Sequence, residues 1–139
     1  MKYTLVAALF FICSCSSNAD LIPINKQAIL TDNGSKVWLV DQVIIGNKNF
    51  ASLINTEKDL IIFYENGHCC YQSMRNLGDL PAKRGEFSMY SEDSTLLINF
   101  KNESWYFKFR QISEDTIALI PEKKSALKYK LILVPFPEI

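Results

Sequence analysis

The chain has 139 residues, and its 15 Lys and Arg balance 15 Asp and Glu. That neutrality excludes the clustered basic footprint expected of a nucleic-acid binder, because Lys83-Arg84 and Lys123-Lys124 are isolated pairs that read as solvated loop charge in predicted turns. Of the 4 cysteines, only Cys69 and Cys70 fall in the folded part, too few for a disulfide framework, so burial has to hold the domain together.

The chain opens with Met1-Lys2-Tyr3, an almost wholly apolar stretch from Thr4 to Ile12, and then small and polar residues. A short basic start, a brief apolar core and a small-residue exit are the layout of a secretory signal peptide. A bilayer span needs ~20 apolar residues, about twice what is present, so a retained transmembrane helix is not expected. The run Ile12-Cys13-Ser14-Cys15 resembles the lipobox of bacterial lipoproteins, with Cys13 where that family more often has Ala, Ser or Thr. The resemblance implies a diacylglyceryl group on the Cys15 thiol, further fatty-acyl chains such as palmitate, and removal of residues 1–14. Several chains on one residue anchor a protein stably where one would not. A competing exit is Ser17-Asn18-Ala19, with cleavage before Asp20 and release of a soluble protein. Ser16 follows the modified cysteine, and sorting in this class then implies a cell-envelope protein on the outer membrane, facing the periplasm.

Removing residues 1–14 takes away Lys2 and no acid, so the balance shifts from 15 against 15 to 14 against 15. Residues 15–36 read as the lipidated N-terminus and a tether, and residues 37–139 as one folded domain.

From Val37 the pattern is one of short strands with period-two alternation, interrupted by turn residues. The reading gives eight, at about 37–43, 59–65, 68–74, 86–91, 95–101, 104–112, 115–121 and 127–134. Phe50 to Thr56 is a candidate short helix. Asn66-Gly67, between Leu60–Tyr64 and Cys69–Tyr71, predicts a two-residue hairpin turn, because Asn and Gly accept positive φ. Leu96, Ile98 and Phe100 form an apolar row with Asn99 opposite. Trp105, Phe107 and Phe109 point away from Tyr106, Lys108 and Arg110, as successive side chains on a strand must. In the last strand Leu127, Tyr129, Leu131 and Leu133 form the corresponding row.

Sequential strands joined by short turns predict an all-β, antiparallel up-and-down meander, and closing it into a barrel removes its edges. A β-sandwich is the alternative, without the immunoglobulin Cys-Trp-Cys signature. Trp38, the Asp59–Gly67 hairpin, Gly85–Tyr90, Leu96–Phe100 and Thr116–Leu119 together resemble the lipocalin-like domains of small bacterial envelope lipoproteins, over about residues 36–134. Lipocalins carry Gly-x-Trp on the first strand, whereas Gly34 here lies four residues before Trp38.

Catalytic constellations are missing from the sequence. His68-Cys69-Cys70 offers two ligands on one strand face, and there is only 1 His in the chain, so no metal site is expected. Adjacent cysteines are also closer than the usual disulfide span. Glu92-Asp93 and Glu114-Asp115 sit in turns, and no Gly-x-Ser-x-Gly elbow, phosphate loop or dinucleotide fingerprint occurs. Asp93-Ser94-Thr95 and Asp115-Thr116-Ile117 resemble an O-glycosylation signal of some envelope proteins. Trp38, Trp105, Phe107 and Tyr129 are expected either to line a pocket for a small apolar ligand or to fill the barrel, and filling is the preferred reading. The expected function is therefore non-enzymatic, with no cofactor. It is an anchored interaction or accessory subunit of an envelope assembly, such as a secretion machine. The alternative is a carrier of a small apolar ligand.

Overall fold

Eight antiparallel strands close into a barrel in a computed structural model, which describes residues 25–49, 58–74 and 82–137. The strands are β1 (Ser35–Ile45), β3 (Asp59–Tyr64), β4 (His68–Ser73), β5 (Lys83–Tyr90), β6 (Thr95–Phe100), β7 (Ser104–Ser113), β8 (Thr116–Pro121) and β9 (Lys130–Pro135). A two-residue strand, β2 (Lys48–Asn49), pairs only with the end of β1. Neighbours in sequence are neighbours in the sheet, and β1 pairs with β9 to close it. This closure settles barrel against sandwich. The proposed signal peptide, Cys15 and the candidate helix at 50–56 lie outside the described residues.

Closure depends on the length of β1. Its first half pairs with β3 (Ser35↔Tyr64 to Leu39↔Leu60) and its second half with β9 (Trp38↔Pro135 to Ile44↔Lys130). The register with β9 shifts between Val40 and Gln42, leaving Asp41 as the extra residue of a bulge. The bulge changes the phase of the strand: Trp38 and Val40 face inward before it, and Val43 packs on the core after it. Asp41, displaced from the ladder, forms an ion pair with Lys58 at 2.5 Å.

Alternation supplies the core. Trp38, Ile61, Phe63, Phe87, Leu96, Ile98, Phe107, Ile117, Leu119 and Leu133 all point inward and are buried. The ring of Phe63 meets Phe87 edge-on at 4.9 Å. The hairpin between β3 and β4 differs from the two-residue expectation: Glu65, Asn66 and Gly67 form a three-residue connection. Only Gly67 takes positive φ (87°), while the Asn66 side chain accepts the His68 N–H at 3.1 Å. That Asn–backbone bond favours a turn ending in one left-handed residue over one with two.

The domain begins earlier than the expected start at Val37, because residues 25–36 are not a free tether. Helix α1 (Lys26–Thr31) lies across the barrel end that carries the β3–β4 and β5–β6 turns. Asn25 caps it by accepting the Ala28 N–H, and Asp32 ends it in the left-handed region. Six residues are too few for a stable isolated helix, so packing must hold it. Leu30 is 0% exposed, and the Trp38 indole donates to its carbonyl at 2.9 Å. Gln27 donates to the Glu65 carbonyl, and Lys26 to the Ser91 carbonyl and the Ser94 hydroxyl. No helix of the described residues is long and apolar enough to cross a membrane.

Candidate functional site

Three of the four aromatics singled out from sequence lie inside the barrel: Trp38, Trp105 and Phe107 are buried, with Trp105 and Phe107 in contact and Trp38 towards the α1 end. Tyr129 is a correction. It lies before β9 begins at Lys130 and is 39% exposed, so strand alternation does not govern it and it joins no interior row. Lys83-Arg84 is another, because β5 starts at Lys83 and takes both residues out of the loop.

The interior is not uniform along its axis. At the α1 end it is aliphatic and aromatic, and the polar tip of Trp38, its N–H, is satisfied. At the opposite end, where β3, β5 and β7 begin and β4 and β6 finish, polar and aromatic groups converge. Tyr71 sits opposite Lys83 and Ile61 in the ladders, so all three face inward. The Trp105 ring is met edge-on by Phe100 at 4.6 Å and by Tyr71 at 5.3 Å, with Phe107 beneath at 6.2 Å. Phe100 comes this close because its partner in the ladder is Gly85. A Cβ there would lie 2.9 Å from the Phe100 ring and 2.5 Å from the Asn99 carbonyl.

Charge sits on this aromatic layer. The Lys83 ammonium lies 4.6 Å from the Phe100 ring centroid and 5.3 Å from that of Trp105, and it pairs with the Glu103 carboxylate. Lys83 and Glu103 are 42% and 33% exposed, so water reaches the pair. The Tyr71 hydroxyl donates to the Asp59 carboxylate. Burial first, then the hydrogen bond to Asp59 and its charge, push the Tyr71 hydroxyl well above the ordinary phenol range. It therefore remains a donor. The Trp105 Nε1–H is buried and has no hydrogen-bond partner among the described residues.

His68-Cys69-Cys70 divides between the two faces of β4, as alternation requires. Cys69 faces inward and is buried, whereas His68 and Cys70 face out. Both cysteines are free thiols. Burial pushes the Cys69 thiol up to about 12, with Cys70 and Glu86 adding and a backbone hydrogen bond at Gly85 opposing. It is a core side chain, not a nucleophile. Cys70, His68, Arg84, Tyr64 and Asn66 line a shallow groove of about 350 Å³ on the outer wall. Among the described residues, no three His, Cys, Asp or Glu side chains are grouped to hold a metal ion.

Neither triplet of the glycosylation pattern is a free loop hydroxyl. Ser94 is held by Lys26, and Thr116 is partly buried in β8. Thr95, beside Ser94, lowers the pKa of Asp93 by hydrogen bonding to its carboxylate, and Lys108 adds to the effect.

Sequence reasoning missed Asp59, Tyr71, Lys83, Phe100 and Glu103 as one group. They come from four strands and the β6–β7 turn, and only the closed sheet brings them together. The available signal was phase: Lys83 shares parity with Gly85, Phe87 and Met89, which marks it as inward-facing.

No protein-family model matches the chain, and comparison with curated proteins and with solved structures found no similar protein.

Proposed function

We propose that this is a lipid-anchored, periplasm-facing protein of the bacterial cell envelope that acts by binding a protein partner, without catalysis, as an accessory subunit of a larger envelope assembly such as a secretion machine. The observation that carries the reading is on the outer wall. Val37 and Leu39 of β1, Leu60 and Ile62 of β3, and Val134 of β9 with Phe136 beyond it have the outward phase on three adjacent strands, and all but Leu60 remain partly exposed. A contiguous apolar stripe on an outer barrel wall is costly in water unless something covers it. The interior supports the same reading, since its large side chains are packed against one another. Ile12-Cys13-Ser14-Cys15 supplies the anchor, ahead of the capping residue Asn25 at which the described domain begins.

A second reading, a carrier of a small apolar ligand, draws on the aromatic layer around Trp105.

Metabolic labelling with a fatty-acid probe, followed by outer-membrane fractionation, tests the anchor. The wild-type protein takes up label and sediments with the membrane, and Cys15→Ala does neither. Unlabelled wild-type protein, or unchanged fractionation of Cys15→Ala, refutes the anchoring. Leu39→Asp with Ile62→Lys tests the stripe: co-purification of a stoichiometric partner from membranes is lost while the circular dichroism of the barrel is kept.

A further inference from the structure

Among the described residues, one ammonium lies against the buried rings at the aromatic end of the barrel, and it belongs to the chain itself. Lys83 places its ammonium against the faces of Phe100 and Trp105, beside Glu103, with the Tyr71–Asp59 pair next to it on the adjacent strands. Ring faces carry the negative part of the aromatic quadrupole and attract cations, most of all weakly hydrated ones. The carboxylates of Asp59 and Glu103 lie beside these rings and supply counter-charge to an ammonium seated on them.

Lys83 holds its position loosely. Its side chain is 42% exposed, and an ion pair at that exposure is screened by water. The rings, by contrast, are fixed: Phe100 is wedged over Gly85, and Trp105 is clasped between Phe100, Tyr71 and Phe107. A mobile cation on a rigid aromatic seat can be exchanged for a better one. The unpartnered Trp105 N–H marks the same spot as incompletely satisfied.

We propose that this end of the barrel is a binding site for a small organic ammonium, best a methylated amine of the choline type, and that Lys83 is its internal stand-in, displaced when the ligand enters. Phe100 and Trp105 supply the ring faces, and Glu103 and Asp59 the counter-charge. The proposal is independent of the lipid anchor and of the outer-wall stripe.

Tryptophan fluorescence of the full chain reports on it, because Trp105 lines the seat while Trp38 is buried at the other end. Titration with choline gives a saturable change in emission. Lys83→Ala and the stem-preserving Lys83→Gln bind roughly tenfold tighter, about 1.4 kcal/mol, since the internal competitor is gone. Trp105→Phe abolishes the change. The neutral isostere 3,3-dimethylbutan-1-ol binds at least tenfold more weakly than choline to the same proteins. Phosphatidylcholine vesicles compared with phosphatidylglycerol vesicles then distinguish a lipid headgroup from a free amine as the source. No saturable change in either Lys83 variant overturns the proposal, as does equal binding of the neutral isostere. Variants that bind choline no tighter than wild type overturn the stand-in role of Lys83.

Discussion

Leu30→Ala is the sharpest test of where this domain begins. Read as sequence, residue 30 lies in a tether, where truncating a side chain changes stability by no more than about 0.5 kcal/mol. In the barrel, Leu30 is 0% exposed and packed against the core from α1. The substitution removes roughly three carbons from a buried site, at ~0.8 kcal/mol each, or about 2.4 kcal/mol before any cavity is counted. Buried Leu→Ala changes span about 2–5 kcal/mol once the cavity is included, so about 3 kcal/mol is expected here. The helix gains only a few tenths of a kcal/mol from the better propensity of Ala, too little to mask the loss. With a urea slope of about 1–3 kcal/mol per molar, the unfolding midpoint falls by about 1–3 M. Trp38→Phe is the companion, because it removes the donor to the Leu30 carbonyl and should cost about 1–3 kcal/mol. The two changes touch one contact, so together they should fall short of or exceed their sum. A Leu30→Ala midpoint within error of wild type would refute the reasoning: α1 would then be an appendage, and the Trp38 contact incidental.

Two further outcomes follow from the interior. Gly85→Ala forces a Cβ to within 2.5 Å of a backbone carbonyl that cannot swing aside, so it should destabilise the barrel by about 1–3 kcal/mol; an unchanged melting temperature would contradict the register of β5 against β6. Stability should also fall in alkali, starting from about pH 9: the unfolded chain releases the Cys69 proton near 9, whereas the folded chain holds it to about 12. The folded state then binds more protons than the unfolded one, so raising the pH favours unfolding, by about 1.4 kcal/mol per pH unit. The raised Tyr71 hydroxyl adds a loss of the same sign above about pH 10. Urea unfolding of Cys69→Ala between pH 9 and 10 should show a flatter dependence than wild type, and parallel curves would disprove the assignment.

The strands were legible because the interior of a small barrel imposes alternation on every strand. Trp105-Tyr106-Phe107-Lys108-Phe109 could hardly encode anything else, and β7 begins one residue before it. Alternation misled at Tyr129, because the row of Leu131 and Leu133 was extended backward through a stretch that is not strand. The short α1 was invisible: six residues carry less than two turns of periodicity, and its stability comes from Trp38, which only the folded chain places beneath it. The bulge at Asp41 was equally hidden, since an acid inside an apolar run says nothing of phase until the partner strand is known. The aromatic seat was the least legible feature. Its members come from five strands and one turn, and no window of sequence holds two of its charges together.

The pairing of β1 with β9 joins a strand near the beginning of the described chain to the last one. All other neighbours in the eight-strand ring follow one another in sequence, so this seam alone must wait until β9 has been made. Contacts between residues so distant in sequence form slowly. A molecule cut short before Lys130 would present raw hydrogen-bonding edges on both β1 and β8, the kind of surface that recruits other chains. The final segment thus acts as a latch, and an incomplete copy of this protein is prone to polymerise instead of remaining a loose monomer.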